Sequence, residues 1–354
     1  MRAARRKGPA LTSITIIGAG IFGLTCAWEL TRRGARVHVI EAARIGAGSS
    51  GGHVGALAPH APENWNPKKA FQLESLLAAP AFWAQVQQVS GLPAGYARSG
   101  RLQPILDRAS LPQLRDRIAQ ADLRWPQDMA MQITDAPPDA LIPDSPTGLW
   151  LRDGLTARLN PRAALAALAA AIRAKGGRID EGQTVAPDDI RGPALWTTGS
   201  AGLELLGRDL NRNTGKGIKG QSALLAHDAG NSAQVFADGL HIVPHADGTT
   251  AIGSTSENDY DHDEPDAQLD QILARARAIC PALQDAAIID RWAGLRPRAK
   301  SRAPLLGAWP GRPGHFVANG GFKIGFGMAP KIATVMADLI LQERDTIPDG
   351  FRLT

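Results

Sequence analysis

One stretch constrains this chain more than any other: Ile14 to Glu41, ITIIGAGIFGLTCAWELTRRGARVHVIE. Ile14, Ile16 and Ile17 make a short apolar run of the kind that becomes a strand buried on both faces of a parallel sheet. Gly18, Gly20 and Gly23 follow in G-x-G-x-x-G spacing. The first permits a tight turn, the second lets backbone approach a pyrophosphate, and the third lets the next helix pack closely on the strand. That helix is expected from about Ile21 to Arg33, with Gly34 at its C-terminal cap. Val37, Val39 and Ile40 then form a second strand, which ends at Glu41. Glu41 stands 18 residues after Gly23, close to the spacing of an acid that holds an adenosine ribose. A carboxylate there repels a 2′-phosphate and disfavours an NADP-type ligand. The triplet alone is weak, but strand, helix and acid together mark a dinucleotide site. The bland alternative is a βαβ unit whose glycines serve packing only.

At 354 residues the chain has room for two joined domains or one large one. No apolar run of 18 residues occurs, so no membrane span is expected. Cys26 and Cys280 are the two cysteines. Their separation argues against a disulfide framework or a metal site, and fits a reducing cytosol and a cytoplasmic location. The start, MRAARRKGPALTS, is basic, but the apolar run after it is the fingerprint strand rather than a signal-peptide core. Residues 1–12 therefore read as a disordered basic arm. A formal charge of +5 suits an anionic cofactor and substrate, and leaves nucleic acid open as a partner without pointing to it.

After Glu41 and Ala42 comes a glycine-rich loop in which Ser49 to Gly52 precede His53. Such a loop suits backbone lying against a ligand; the alternative is a mobile surface loop. His53 faces a ring or caps a turn. Residues 68–90 read as a helix that Pro80 should break or restart. A strand is expected in 100–106 and helices in 110–120 and 161–175, the last started by Asn160-Pro161 and closed by Gly176-Gly177. Ala194 to Thr197 reads as a buried strand returning to the nucleotide unit, so the residues between belong in part to another domain. From Gly217 the pattern alternates, predicting antiparallel strands with Asp-Gly turns at 238–239 and 247–248. A helix follows at about 265–280. The end, HFVANGGFKIGFGMAP, predicts a strand, a glycine turn and a helix from about Met328 whose N-terminus aims at whatever lies in the turn.

These motifs in this order resemble the D-amino-acid oxidase superfamily of FAD-dependent oxidoreductases, most closely its glycine oxidase and sarcosine oxidase branch. The resemblance rests on the fingerprint with Glu41, GAGSSGGHVGALAP, ALWTTG, KGIKGQ, LHIVPHADGTTAIGSTSE, WAGLRPRAKSRAPLLG and GGFKIGFGMAP, and covers nearly the whole chain. It implies an α/β fold: a Rossmann-like FAD-binding domain with a second, mostly antiparallel-sheet substrate domain. The implied division is 13–65, 155–210 and 305–345 for the FAD-binding domain, and 66–154 with 211–304 for the substrate domain. It also implies oxidation of the C–N bond of a small amino acid or secondary amine by hydride transfer to flavin N5, with imine hydrolysis afterwards. Dioxygen or another carrier would take the electrons, and a homo-oligomer is compatible. A second resemblance, in SSGGHVGALAP, is to the oxidase domain that trims carboxymethylaminomethyl groups on transfer-RNA uridines. A flavin-binding protein without turnover is the third reading.

By the same resemblance, Glu41 beside Ala42 would hold the ribose, and Gly18, Gly20, Ile21, Phe22 and Gly23 the fingerprint side of FAD. Ser49, Ser50, Gly52 and His53 would line the flavin. Val185 would meet the adenine, Gly199 the pyrophosphate, and the turn Gly321, Phe322, Lys323, Ile324 and Gly325 would cradle the ring. Arg296 matches the arginine that pairs with a substrate carboxylate; a structural ion pair with an acid such as Asp290 is the alternative. His241 stands where glycine oxidases carry tyrosine, and Lys323 where they carry arginine. Lys323 stabilises reduced flavin or is a solvated turn lysine; His241 faces the core or the pocket. No cysteine lies near Ala308 or Trp309, so the FAD is expected to be noncovalent. No metal site is expected, and no Ser/His/Asp or Cys/His arrangement stands out; amine oxidation needs none, because a deprotonated amine supplies its own push.

Overall fold

The computed structural model describes residues 12–353. Apart from Thr12, the arm expected at 1–12 lies outside them. The first sheet has six strands, in the order β15 (Leu305–Ala308), β16 (His315–Asn319), β9 (Ala194–Trp196), β1 (Ser13–Ile17), β2 (Arg36–Ile40) and β8 (Arg178–Asp180). All pairs are parallel except the β15–β16 hairpin. The fingerprint strand β1 is therefore central, which is why Ile14 and Ile16 are fully buried. Helices α1 (Ile21–Arg32), α4 (Pro161–Ala174) and α7 (Gly325–Gln342) pack with this sheet into one core. Every residue of α1 from Ile21 to Thr31 is buried, because α7 and α4 close on it from outside.

The second sheet has eight strands, in the order β14 (Ile288–Ala299), β10 (Gly215–Leu225), β13 (Thr250–Gly253), β12 (Leu240–Pro244), β11 (Gln234–Ala237), β4 (Arg101–Pro104), β6 (Trp150–Asp153) and β5 (Met131–Thr134). Its pairs are antiparallel except β11 with β4. The first Asp-Gly turn is legible in its torsions: Asp238 and Gly239 both hold positive φ, 48° and 73°, as a tight hairpin of this twist requires. A short pair, β3 (Ala56–Leu57) with β7 (Ala157–Arg158), joins the loop after the fingerprint to the entrance of α4. Asn160 caps α4 by accepting from the N–H groups of Arg162 and Ala163 at 3.1 and 3.2 Å. The remaining helices are α2 (Pro67–Ser90), α3 (Leu111–Asp122), α5 (Gly199–Asp209) and α6 (Ala267–Ile279).

Two expectations are corrected. Pro80 does not break α2, which runs through it for 24 residues. Proline lacks the N–H that would bond the carbonyl of Leu76 one turn back. Arg98 supplies the missing donor, its Nη2 reaching Leu76 O at 2.8 Å, and Pro80 itself sits on the exposed face. The last helix begins at Gly325, not Met328. Each helical glycine costs about 1 kcal/mol, but Gly327 to Pro330 are buried where α7 packs on α2, and that burial draws the glycine turn into the helix.

Candidate functional site

A cavity of about 880 Å³ runs between the two sheets. At one end are Glu41, Ala42 and Val185; along its middle lie Gly18, Gly20 and Gly199; at the other are Arg296, His241 and the turn from Gly321 to Gly325. Ile21, Phe22, Ser49, Ser50, Gly52 and His53 border it as well. Of the three fingerprint glycines only Gly23 does not. It works inside the fold, since a Cβ there would lie 1.9 Å from the carbonyl oxygen of Gly18. Gly18 turns the chain at φ +102°, a conformation side chains rarely adopt.

The nucleotide end is built from backbone donors and one acid. Glu41 accepts from the N–H of Ala19 at 2.7 Å through Oε2 and from that of Ala43 at 3.0 Å through Oε1. A carboxylate has about four acceptor sites, so room is left for a diol. The start of α1 at Gly20 carries no side-chain cap, though Ser50 Oγ accepts from Ile21 N at 3.0 Å. Ser50 thus fixes the helix start as well as bordering the cavity. The start of α7 is also uncapped by any side chain, and Gly325, Phe326 and Gly327 there border the opposite end. Two helix N-termini with unsatisfied N–H groups suit an elongated ligand carrying negative charge at both places.

The other end is built from side chains. Arg296 is 8 % exposed. Its Nη1 donates to Ser254 Oγ at 2.6 Å and its Nη2 to the carbonyl of Thr255, while Nε is buried with no partner. Among the described residues no carboxylate pairs with it; Asp290, the acid considered from sequence, bonds His53 and Arg162 instead. Burial pulls the Arg296 guanidinium down to about 10, with Glu257 partly offsetting this. It is still a cation at neutral pH. Lys323 lies at the mouth, with Nζ 5.7 Å from the Phe322 ring centre over which Arg296 also sits, at 5.4 Å. Partial burial and then the charge of Arg296 hold its ammonium below the usual lysine range. His241 borders the cavity, not the core alone, and burial, then Arg101 and Lys323, push it down to about 3. Its Nδ1 lies 3.3 Å from Gln234 Oε1, and Gln234 Nε2 donates to Ala157 O at 3.0 Å, so the ring is neutral and its Nδ1–H points to the amide oxygen.

Sequence reasoning missed Arg101, Phe236, Ser254, Ser222 and Trp292, which all border the cavity. Arg101 is neutralised by Asp153, Nε to Oδ2 at 2.9 Å. Trp292 had a signal, as the residue before AGLRP. The others come from strand faces and loops with no local pattern. Cys26 and Cys280 are free, buried and away from the cavity. Among the described residues no cluster of His, Cys, Asp or Glu is arranged to hold a metal, and no helix is long and apolar enough to cross a membrane.

These features define a flavin-type dinucleotide site. The sequence matches the model of the FAD dependent oxidoreductase family over residues 13–339, and the chain belongs to that family. Its cofactor is FAD. Among curated proteins it is 28 % identical to the bifunctional protein ThiO/ThiG of Synechocystis over 94 % of this chain, spanning only about half (52 %) of that protein. It is 24 % identical to glycine oxidase of Geobacillus kaustophilus over 92 % of both chains. The crystal structure of that species' glycine oxidase superposes with a TM-score of 0.84 at 22 % identity, covering 96 % of this chain and 98 % of that one. Iminodiacetate oxidase from Chelativorans sp. BNC1 has the same fold, with a TM-score of 0.81 at 21 % identity and 96 % and 98 % covered.

Proposed function

We propose that this oxidoreductase oxidises the C–N bond of a small amino acid or N-substituted amino acid of the glycine or sarcosine type, with Arg296 as the carboxylate anchor. One observation carries the reading: a buried guanidinium on the cavity wall with an unpartnered Nε and no protein carboxylate to neutralise it. A buried cation that only Glu257 offsets, and without direct contact, is costly, and a carboxylate received by the guanidinium relieves that cost. FAD, when bound, supplies the two-electron acceptor. The protein's part is to hold the substrate at one end of the cavity and keep bulk water from it. Arg296 fixes the acid end; neutral His241 offers its second ring nitrogen as an acceptor to an N–H; Phe322 and Phe236 give apolar walls. Lys323 adds positive charge at the mouth, which favours an anionic substrate and negative charge developing in the cavity. Glu41 holds the ribose, and the first turns of α1 and α7 the pyrophosphate and ring ends. Dioxygen or another carrier takes the electrons. The two thiols, free and with burial raising both, suit a reducing cytoplasm. The test is anaerobic bleaching of flavin absorbance against a panel of amines and amino acids. Glycine-type acids should bleach it, and decarboxylated analogues should not. Equal bleaching by both would remove the anchor from the reading.

A further inference from the structure

The fold assembles a Ser/His/Asp line that no sequence pattern announces. His53 lies in the glycine loop, Ser222 on β10 and Asp290 on β14. His53 Nδ1 is 3.1 Å from Ser222 Oγ, and Nε2 is 3.1 Å from Asp290 Oδ2. The backbone N–H of His53 also reaches Ser222 Oγ, at 3.4 Å. The acid gives the line a direction. Ionised Asp290 only accepts, so Nε2–H donates to it; the neutral ring then leaves Nδ1 as an acceptor, and the Ser222 hydroxyl donates there while its oxygen accepts from the backbone. Burial changes along it. Ser222 and His53 are 1 % and 2 % exposed and border the cavity, whereas the Asp290 side chain is 40 % exposed and lies outside it. Arg162 on α4 fixes the outer end, with Nη1 2.7 Å from Asp290 Oδ2 and Nε 2.8 Å from Gly51 O.

The inner end is aimed at the substrate by strand register. In the β10–β14 ladder Ser222 faces Trp292, Gly220 faces Gly294 and Ile218 faces Arg296. Paired residues share a face, and so do residues two apart. Arg296 folds back over Gly220, where a Cβ would lie 2.4 Å from its Cζ. Ser222 therefore stands one two-residue step from the carboxylate anchor, roughly 6.5–7 Å. An amino acid held by Arg296 spans that gap with its nitrogen, directly or through one water.

We propose that Ser222, His53 and Asp290 form a proton exit that takes the ammonium proton of the substrate from the cavity to solvent. The proposal rests on the amine-oxidation reading above. An amino acid arrives as an ammonium, but its nitrogen needs its lone pair free before the C–N bond can be oxidised. The cavity already holds the cations Arg296 and Lys323, so a third cation is repelled. His241, held near 3, does not keep a proton. In the step an N–H bond of the substrate breaks and the nitrogen keeps the electron pair. The proton passes to Ser222 Oγ as the hydroxyl proton passes to His53 Nδ1, and the Nε2 proton passes to Asp290 and water. No oxidant is consumed. With dioxygen as the carrier, its later two-electron reduction to hydrogen peroxide would take up one proton, and passage of that proton inward along the same line resets hydroxyl and ring. His53 is faced by Asp290, Arg162, Ser222 and, beyond the end of β12, His245. Burial first, with Arg162 helping and Asp290 opposing, keeps its imidazole neutral at physiological pH, as a conductor rather than a store.

The test compares FAD-loaded wild type with Ser222→Ala by anaerobic stopped-flow, across the pH range that spans the substrate's ammonium pKa. Below that pKa the variant should reduce about 100-fold more slowly. Above it, where the amine arrives neutral, the two should converge. Asp290→Asn, at the surface, should show the same pH pattern with a smaller loss. The affinity of each apoprotein for FAD, read by fluorescence quenching, should stay within about twofold, since neither Ser222 nor Asp290 is assigned a contact with FAD. Slowing by one factor at every pH, or none at all, overturns the relay while leaving amine oxidation standing. A wild type that no amine reduces overturns both.

Discussion

The two ends of the cavity are built on opposite plans. The nucleotide end centres on Ile14 to Glu41, one βαβ unit that offers backbone N–H donors and a single acid, with Val185 and Gly199 joining from later in the chain. The substrate end draws Arg296 from β14, His241 from β12, Ser254 from the loop after β13, Lys323 from the final turn and Ser222 from β10. Backbone donors tolerate changes of side chain, so the first end reads as a motif. The second depends on which side chains meet across a sheet, so changing one is expected to alter the substrate without altering the cofactor.

Mutation should separate the ends. The largest effect is expected at Arg296. Arg296→Ala leaves a bound carboxylate without its partner, a loss of about 3–5 kcal/mol in the buried case. Arg296→Lys keeps the charge without the fork and should lose less. In both, flavin absorbance should be intact and only amino-acid reduction impaired, measured as kcat/KM. Normal reduction of the Ala variant would make Arg296 structural.

Next is Glu41→Ala, expected to weaken FAD binding by about 1.5–3 kcal/mol through lost charge-assisted hydrogen bonds. At saturating FAD the KM for substrate should not move. An unchanged dissociation constant would show Glu41 serving only the Ala19 and Ala43 N–H groups.

The pH response is smaller and comes from the substrate-side sheet. Burial holds His241 down to about 3 and His245 down to about 4, both below the unfolded histidine near 6.5. The unfolded chain then binds more protons as pH falls below 6.5, so this contribution to stability is complete above that value and is lost from there down to about pH 3. The melting temperature should fall over this window, and His245→Gln should flatten the fall. Lys323→Met should act least, since the side chain sits at the mouth. We expect a raised KM for an acidic substrate, about tenfold or less, with FAD affinity unchanged; a change in FAD affinity instead would place Lys323 with the cofactor.

Local physics determined the fingerprint strand and helix, the Asn160-Pro161 start of α4, the Asp-Gly hairpin turns and the role of Gly23, because each depends on torsion preferences or on neighbours a few residues away. Arg296 was legible through its sequence context, but its lack of an acid partner was not. Three features were decided by tertiary structure alone. Pro80 survives inside α2 because Arg98, in the segment that follows the helix, reaches back to the carbonyl that proline leaves bare. The final helix takes in its glycine turn because packing outweighs the entropy of those glycines. Ser222, His53 and Asp290 meet because β10 and β14 pair in one register and the glycine loop folds onto them. Contacts between residues so far apart in sequence depend on how two sheets close on each other, and no period or spacing in the chain encodes that closure on its own.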